Sequence, residues 1–154
     1  MATTTPGFIS ASNSGLQNLF TTDLDQFNKT VYNSVGASAT VVFPTTDATS
    51  TTPPITVYSN GNIKLANAYS YGITVTTQTR NATWSVAPTV QLVANTGATI
   101  GPAVPITRSL VTTVTTATGP IEFTVRANAS PNTSWQYPEQ LTNSTITVQV
   151  IGGF

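Results

Sequence analysis

The stretch YGITVTTQTR, Tyr71 to Arg80, repeats with a period of two. Successive side chains of an extended strand point to opposite faces. Tyr71, Ile73 and Val75 therefore share one face, and Gly72, Thr74 and Thr76 the other. Arg80 is the stretch's single charge. The same texture returns in LVTTVTT (Leu110 to Thr116) and in STITVQV (Ser144 to Val150). Threonine suits such strands, because its β-branched side chain fits a pleated surface while its hydroxyl keeps the outer face wet.

The alternation persists from Ala37 on. Ala39, Val41 and Phe43 alternate with Thr40 and Val42, and Ile55 and Val57 with Thr56 and Tyr58. A turn at Asn60-Gly61 leads to Ile63 and Leu65. Val90, Leu92 and Ala94 precede a hairpin-like turn, NTGAT. Ile121, Phe123 and Val125, then Ile146, Val148 and Val150, complete the set. Turn residues separate these runs, which predicts about eight strands with no helix between them. Many short strands of this kind form an all-β sandwich, here read as a single jelly roll. TTDATSTTPP, Thr45 to Pro54, reads as a linker.

Before Gly36 the spacing differs. Leu16, Leu19, Phe20, Leu24, Phe27 and Val31 recur at helical intervals, with Thr22 as a cap and Asp23 and Asp25 in the first turn. The reading is an N-terminal arm containing a short helix over residues 1–35, followed by a jelly-roll domain over 36–154. The arm is expected to anchor the subunit in an assembly, and the sandwich to fold without it.

The chain has 154 residues, enough for one domain with a sizeable core. Charged residues make up 6% of it, with five basic and five acidic side chains. Ordinary soluble domains carry about 25%. A 39% apolar content distributed in β-branched runs argues against disorder. No apolar run reaches the ~18 residues of a membrane span. MATTTPGFIS has neither a basic n-region nor an apolar h-region, so no signal peptide is expected.

The residue inventory also limits chemistry. Histidine and cysteine are absent. That removes the usual general base at neutral pH, the thiol nucleophile and the best transition-metal ligands. Serines without such a partner have no activator. Glu122 and Glu139 would serve glycoside hydrolysis only if folding brought them together, and Glu122 shares an outward strand face with Arg126, which predicts a surface ion pair. No enzyme, metal or cofactor is expected. Lys29, Lys64, Arg80, Arg108 and Arg126 are scattered, whereas phosphate binding needs clustered cations, so nucleic acid is not an expected partner. Trp84, Trp135 and Tyr137 lie in loop-like stretches, NATWSV and NTSWQYPEQ, and are candidates for stacking on a sugar or for a subunit contact. N-glycosylation sequons stand at Asn28, Asn81, Asn132 and Asn143, with a further one at Asn128 followed by Pro131.

The order of IKLANAYSYGITVTTQTR, VQLVANTGATIG, LVTTVTTATGPIEFTVRA and STITVQVIGGF resembles the tumour-necrosis-factor and complement-globular-head jelly roll. It looks closest to the trimeric heads of bacterial exosporium filaments and of some phage spikes. The resemblance covers Asn62 to Phe154 as a pattern of strands. Where that family has a glycine before the first aromatic of the second strand, Asn67-Ala68 precede Tyr69 here. A single jelly roll of this size is also similar to small viral capsid and penton proteins. The resemblance implies a trimer or pentamer with no catalytic site.

These observations give a first expectation of function. The chain is read as a virion structural protein, a capsid, penton or surface spike subunit that assembles through neutral Thr-rich surfaces. Its partners would be itself, other structural subunits and a glycan receptor, and its location the extracellular particle. The alternatives are a trimeric head of a bacterial surface or spore filament and a carbohydrate-binding module.

Overall fold

A computed structural model describes residues 7–15, 17–20, 31–33, 37–50, 55–79, 87–129, 133–135 and 139–153. In chain order the strands are β1 (Phe8–Asn13), β2 (Gln17–Phe20), β3 (Val31–Asn33), β4 (Ala37–Val41), β5 (Thr45–Thr49), β6 (Ile55–Val57) and β7 (Ile63–Leu65). They continue with β8 (Tyr69–Thr79), β9 (Thr89–Ala94), β10 (Thr99–Pro105), β11 (Leu110–Thr115), β12 (Ile121–Ala129), β13 (Thr133–Trp135) and β14 (Glu139–Gly153). The protein is all-β. One six-stranded sheet, here sheet A, runs β11-β8-β14-β1-β5, with β2 also on β14. The other, sheet C, runs β10-β9-β12-β7-β6, with β4 also on β12. A two-stranded ribbon, sheet B, joins β13 to β3. Every pairing is antiparallel.

The two sheets form a β sandwich around one apolar cluster. Tyr71, Ile73 and Val75 of β8 point inward, as their period-two spacing requires, beside Ile146 and Val148 of β14 and Leu110 and Val114 of β11. Sheet C contributes Val41, Ile63, Leu65, Val90, Leu92, Phe123 and Val125. Ile106, between β10 and β11, plugs one end. It is fully buried, its N–H donates to the Pro88 carbonyl at 2.8 Å, and its carbonyl accepts from the Thr77 hydroxyl at 2.7 Å.

Several expectations about the first fifty residues need correction. Leu19 and Phe20 lie in β2 and Val31 in β3, so these three are extended rather than helical. Leu16, Leu24, Phe27, Thr22, Asp23 and Asp25 fall outside the described residues. Nor does the core begin at Gly36: β1 pairs with both β14 and β5, and its Ile9 and Ala11 are buried. The alternation Ile9-Ser10-Ala11-Ser12 is itself period two, in a run too short to outweigh the helical spacing that follows it. Thr45–Thr49, read as linker, is strand β5. All five of its residues are exposed, so it is held by backbone pairing and shows no apolar face in its sequence.

With few charges available, hydroxyls and amides satisfy the backbone where the sheets end. Gln17 is the clearest case. Its side-chain amide donates to the Thr40 carbonyl at 2.6 Å and accepts from the Val42 N–H at 3.1 Å, so it completes the free edge beside β4 as a strand would. Ser144, buried in β14, donates to the Val42 carbonyl at 3.3 Å. At the opposite end, the turn into β8 is tied by Thr116. Its hydroxyl donates to the Ala66 carbonyl at 2.6 Å and accepts from the Tyr69 N–H at 3.1 Å. The buried Tyr71 hydroxyl donates to the same Ala66 carbonyl at 2.8 Å. These bonds hold Ala68 at φ 78°, a left-handed conformation that ordinarily selects glycine.

Burial, with the neighbouring Tyr69 as a smaller cause, pushes the Tyr71 hydroxyl from 10.0 up to about 12. A pKa raised by folding means the native state holds its proton more tightly. The associated stability is complete below pH 10.0 and is lost as pH rises to about 12. Tyr71→Phe is expected to cost about 1 kcal/mol at neutral pH, because Thr116 still serves Ala66. In urea titrations at several pH values, the variant should lack the part of the wild type's alkaline loss that comes from Tyr71. Identical alkaline curves would assign that loss elsewhere.

Gly101, at φ 71° in β10, lies where a Cβ would sit 2.7 Å from the Thr112 hydroxyl of β11. Here β10 approaches β11 from the core side, toward which Thr112 points together with Leu110 and Val114. Gly101→Ala is expected to destabilise by about 1–3 kcal/mol, from both strain and overlap. Adding Thr112→Ala should recover the part due to overlap. Thermal melts of the single and double variants measure each share.

Candidate functional site

The outer face of sheet A is the candidate site, and it is built by register. Ser10 of β1 lies opposite Thr147 of β14, Thr147 opposite Thr74 of β8, and Thr74 opposite Val111 of β11. The next row places Ser12 beside Thr145 and Thr145 beside Thr76, whose hydroxyl meets that of Ser109 at 3.4 Å. A third row carries Phe8, Gln149, Gly72 and Thr113. Gly72 leaves the middle of this row without a side chain.

Charge is excluded from this field. Among the strands of sheet A only Asp47 and Glu139 are charged. Asp47 lies in the exposed edge strand β5, and Glu139 is the first residue of β14. The opposite outer face, on sheet C, holds Lys64, Glu122 and Arg126. Apolar exposure follows the opposite division. Val111 (68% exposed), Ile151 (58%) and Tyr69 (37%) belong to sheet A, and Tyr58 alone among the exposed large apolar residues belongs to the β6–β7 turn. The face can therefore offer hydroxyls, amides and isolated apolar side chains to a partner.

The residues singled out in the sequence are dispersed. Trp84 and Tyr137 lie outside the described residues, and Trp135 stands in β13 opposite Val31. Asn28, Asn81 and Asn132 also lie outside them, while Asn143 is exposed in β14. Glu122 and Glu139 are at opposite ends of the sandwich. Ile121 pairs with Leu65 beside the turn into Tyr69, Tyr69 pairs with Gly153, and Glu139 begins the same strand that Gly153 ends. The guanidinium of Arg126, expected to face Glu122, binds hydroxyls instead. Arg126 donates to the Thr40 hydroxyl at 2.6 Å and the Ser38 hydroxyl at 2.8 Å, and Glu122 stands opposite Lys64 across the ladder. Cross-strand neighbours decide these contacts, and spacing within one strand does not reveal them.

No group of three or more potential metal-ligating side chains occurs among the described residues. No helix there is long and apolar enough to cross a membrane. The sequence signal that does locate the face is the Thr-x-Thr spacing in three separate strands: Thr74/Thr76, Thr113/Thr115 and Thr145/Thr147. Read singly, each marks an outer face. Their common sheet emerges only from the pairing. Neither a protein-family model nor a curated protein sequence matches the chain.

Proposed function

We propose that the chain is a self-assembling structural subunit, of the kind that forms the capsid, penton or surface spike of a virion. The observation that carries this reading is the uncharged outer face of sheet A. Buried hydroxyls and amides can satisfy one another across a contact at low desolvation cost, whereas unpaired charges cannot. Like charges do not repel between copies of such a face. A net charge of zero, a hazard for a freely diffusing protein, favours association.

The proposal includes a jelly-roll topology. In support, the chain passes repeatedly from one sheet to the other: β5 in A, β6 and β7 in C, β8 in A, β9 and β10 in C, β11 in A, β12 in C and β14 in A. The left-handed Ala68 lies next to Tyr69, where the resembled family places a glycine. The same observations favour a second reading, the trimeric head of a bacterial surface or spore filament, because the resemblance spans β7 to β14. Particle symmetry and source separate the two.

The first test is native mass by analytical ultracentrifugation, with an oligomer expected at micromolar concentration and above. A 16.1 kDa monomer throughout would overturn the proposal. A single Thr74→Lys change, in the middle of the face, is expected to leave the monomer's stability within about 0.5 kcal/mol of wild type and to abolish assembly through the face. Assembly of the wild type should be nearly unchanged from low salt to ~1 M NaCl, since apolar burial is not screened. It should also be flat from about pH 5 to 8, where no histidine titrates.

A further inference from the structure

We propose that two copies of the chain join edge to edge along β11, antiparallel about a two-fold axis at Thr113, so that sheet A continues from one copy into the next. The inference rests on the self-assembly reading above, and adds to the burial of the face an edge contact along its rim.

The edges of the two sheets differ in how they are protected. A free strand edge invites pairing, and proteins usually obstruct it with charge, proline, a bulge or a short strand. β5 carries Asp47 and a register shift against β1. β10 breaks register between Ile100 and Val104 and includes Pro102 and Pro105, which have no N–H. β6 is three residues long. The edge beside β4 is occupied by the Gln17 amide. β11 differs from all of these. It holds unbroken register with β8 from Leu110 to Thr115 and contains no proline, glycine or charge.

The direction of its free backbone groups follows from one turn. The Thr116 N–H donates to the Tyr69 carbonyl at 2.9 Å, and the Thr116 carbonyl accepts from the Ala68 N–H at 3.0 Å, so both point toward β8. Backbone groups alternate direction along a strand. Leu110, Thr112 and Val114 therefore also turn toward β8, while Val111, Thr113 and Thr115 direct N–H and carbonyl outward. Among the described strands β11 pairs with β8 alone. The side chains of the outward three are exposed as well.

This row is complementary to itself. Rotation about Thr113 sets Thr113 against Thr113 of the second copy, and Val111 against Thr115. All three pairs then fall in the hydrogen-bonded class of an antiparallel ladder, with β-branched side chains side by side. Residue i meets j while j meets i, as an isologous contact requires. Nothing on the strand provides the charge that would select a foreign strand, so the occupant is a second copy.

The absence of cysteine makes the test clean. In a hydrogen-bonded pair the two Thr113 Cα atoms would lie ~5.5 Å apart, within disulfide reach. Full-length Thr113→Cys is expected to give a covalent dimer under mild oxidation, and Thr45→Cys, on the opposite edge, is not. Thr113→Lys and Thr113→Glu should each weaken dimerisation at least about tenfold alone and restore it when mixed. Circular dichroism confirms that each variant folds. Folded Thr113→Cys that oligomerises without cross-linking, or a native trimer or pentamer indifferent to Thr113→Lys, overturns this inference and leaves the self-assembly reading standing. A wild type that is monomeric at every concentration removes the self-assembly reading itself. Capture of a different protein's strand by the β11 edge also overturns the inference.

Discussion

The pairing of β8 with β14 fixes everything else in this sandwich. The two strands stay side by side from Leu141 opposite Thr79 to Gly153 opposite Tyr69, and their register shifts lie only near the ends, at Leu141/Asn143 and Val150/Gly152. Between those points the alternation is strict. A slip of one residue would turn Ile146 and Val148 outward and bring Thr145 and Thr147 into the core, so burial enforces the register. β11 and β1 then add to the outer edges of this pair, and their hydroxyls fall into line with its threonines. The polar field is thus a by-product of the same constraint that fills the core.

Much of that arrangement was legible in the sequence, for a physical reason. Strands with one face buried write their period into the chain, as at Tyr71, Ile73 and Val75 or at Ile121, Phe123 and Val125. The Asn60-Gly61 turn was also legible. Gly61, at φ 98°, packs where a Cβ would approach the Thr40 methyl at 2.7 Å, so the turn needs glycine twice over. Short elements, and those without a buried face, were not legible. β5 has no buried face, β2 and β3 are short, and β1 is a brief alternation preceding a stronger helical spacing. The candidate face lay between these cases. Its threonines were visible strand by strand, but their juxtaposition depends on which strands are neighbours, and that is a property of the fold.

Neutrality extends from the surface into the structural joints. Where another protein would close a sheet end with a salt bridge, this one uses Gln17, Ser144, Thr116 and Thr77. Each serves a backbone carbonyl or N–H with a neutral group. Such bonds are short in range and insensitive to ionic strength, and they depend on exact placement. Arg126 follows the same pattern by spending its guanidinium on two hydroxyls. Stability and assembly thereby draw on the same two resources, apolar burial and neutral hydrogen bonds.

The position of β14 has a consequence for the order of events during synthesis. It is the last of these strands to be made, yet it lies at the centre of sheet A, between β8 and β1. Until it emerges from the ribosome, β1 and β8 have no partner between them, although more than fifty residues separate them in the chain. The sheet therefore cannot zip up progressively from the N-terminus. It closes in one late step, when β14 inserts between strands made long before. Contacts this distant in sequence fold slowly. The delay also protects the nascent chain, since a face that waits for β14 cannot engage neighbouring chains before that strand has been made.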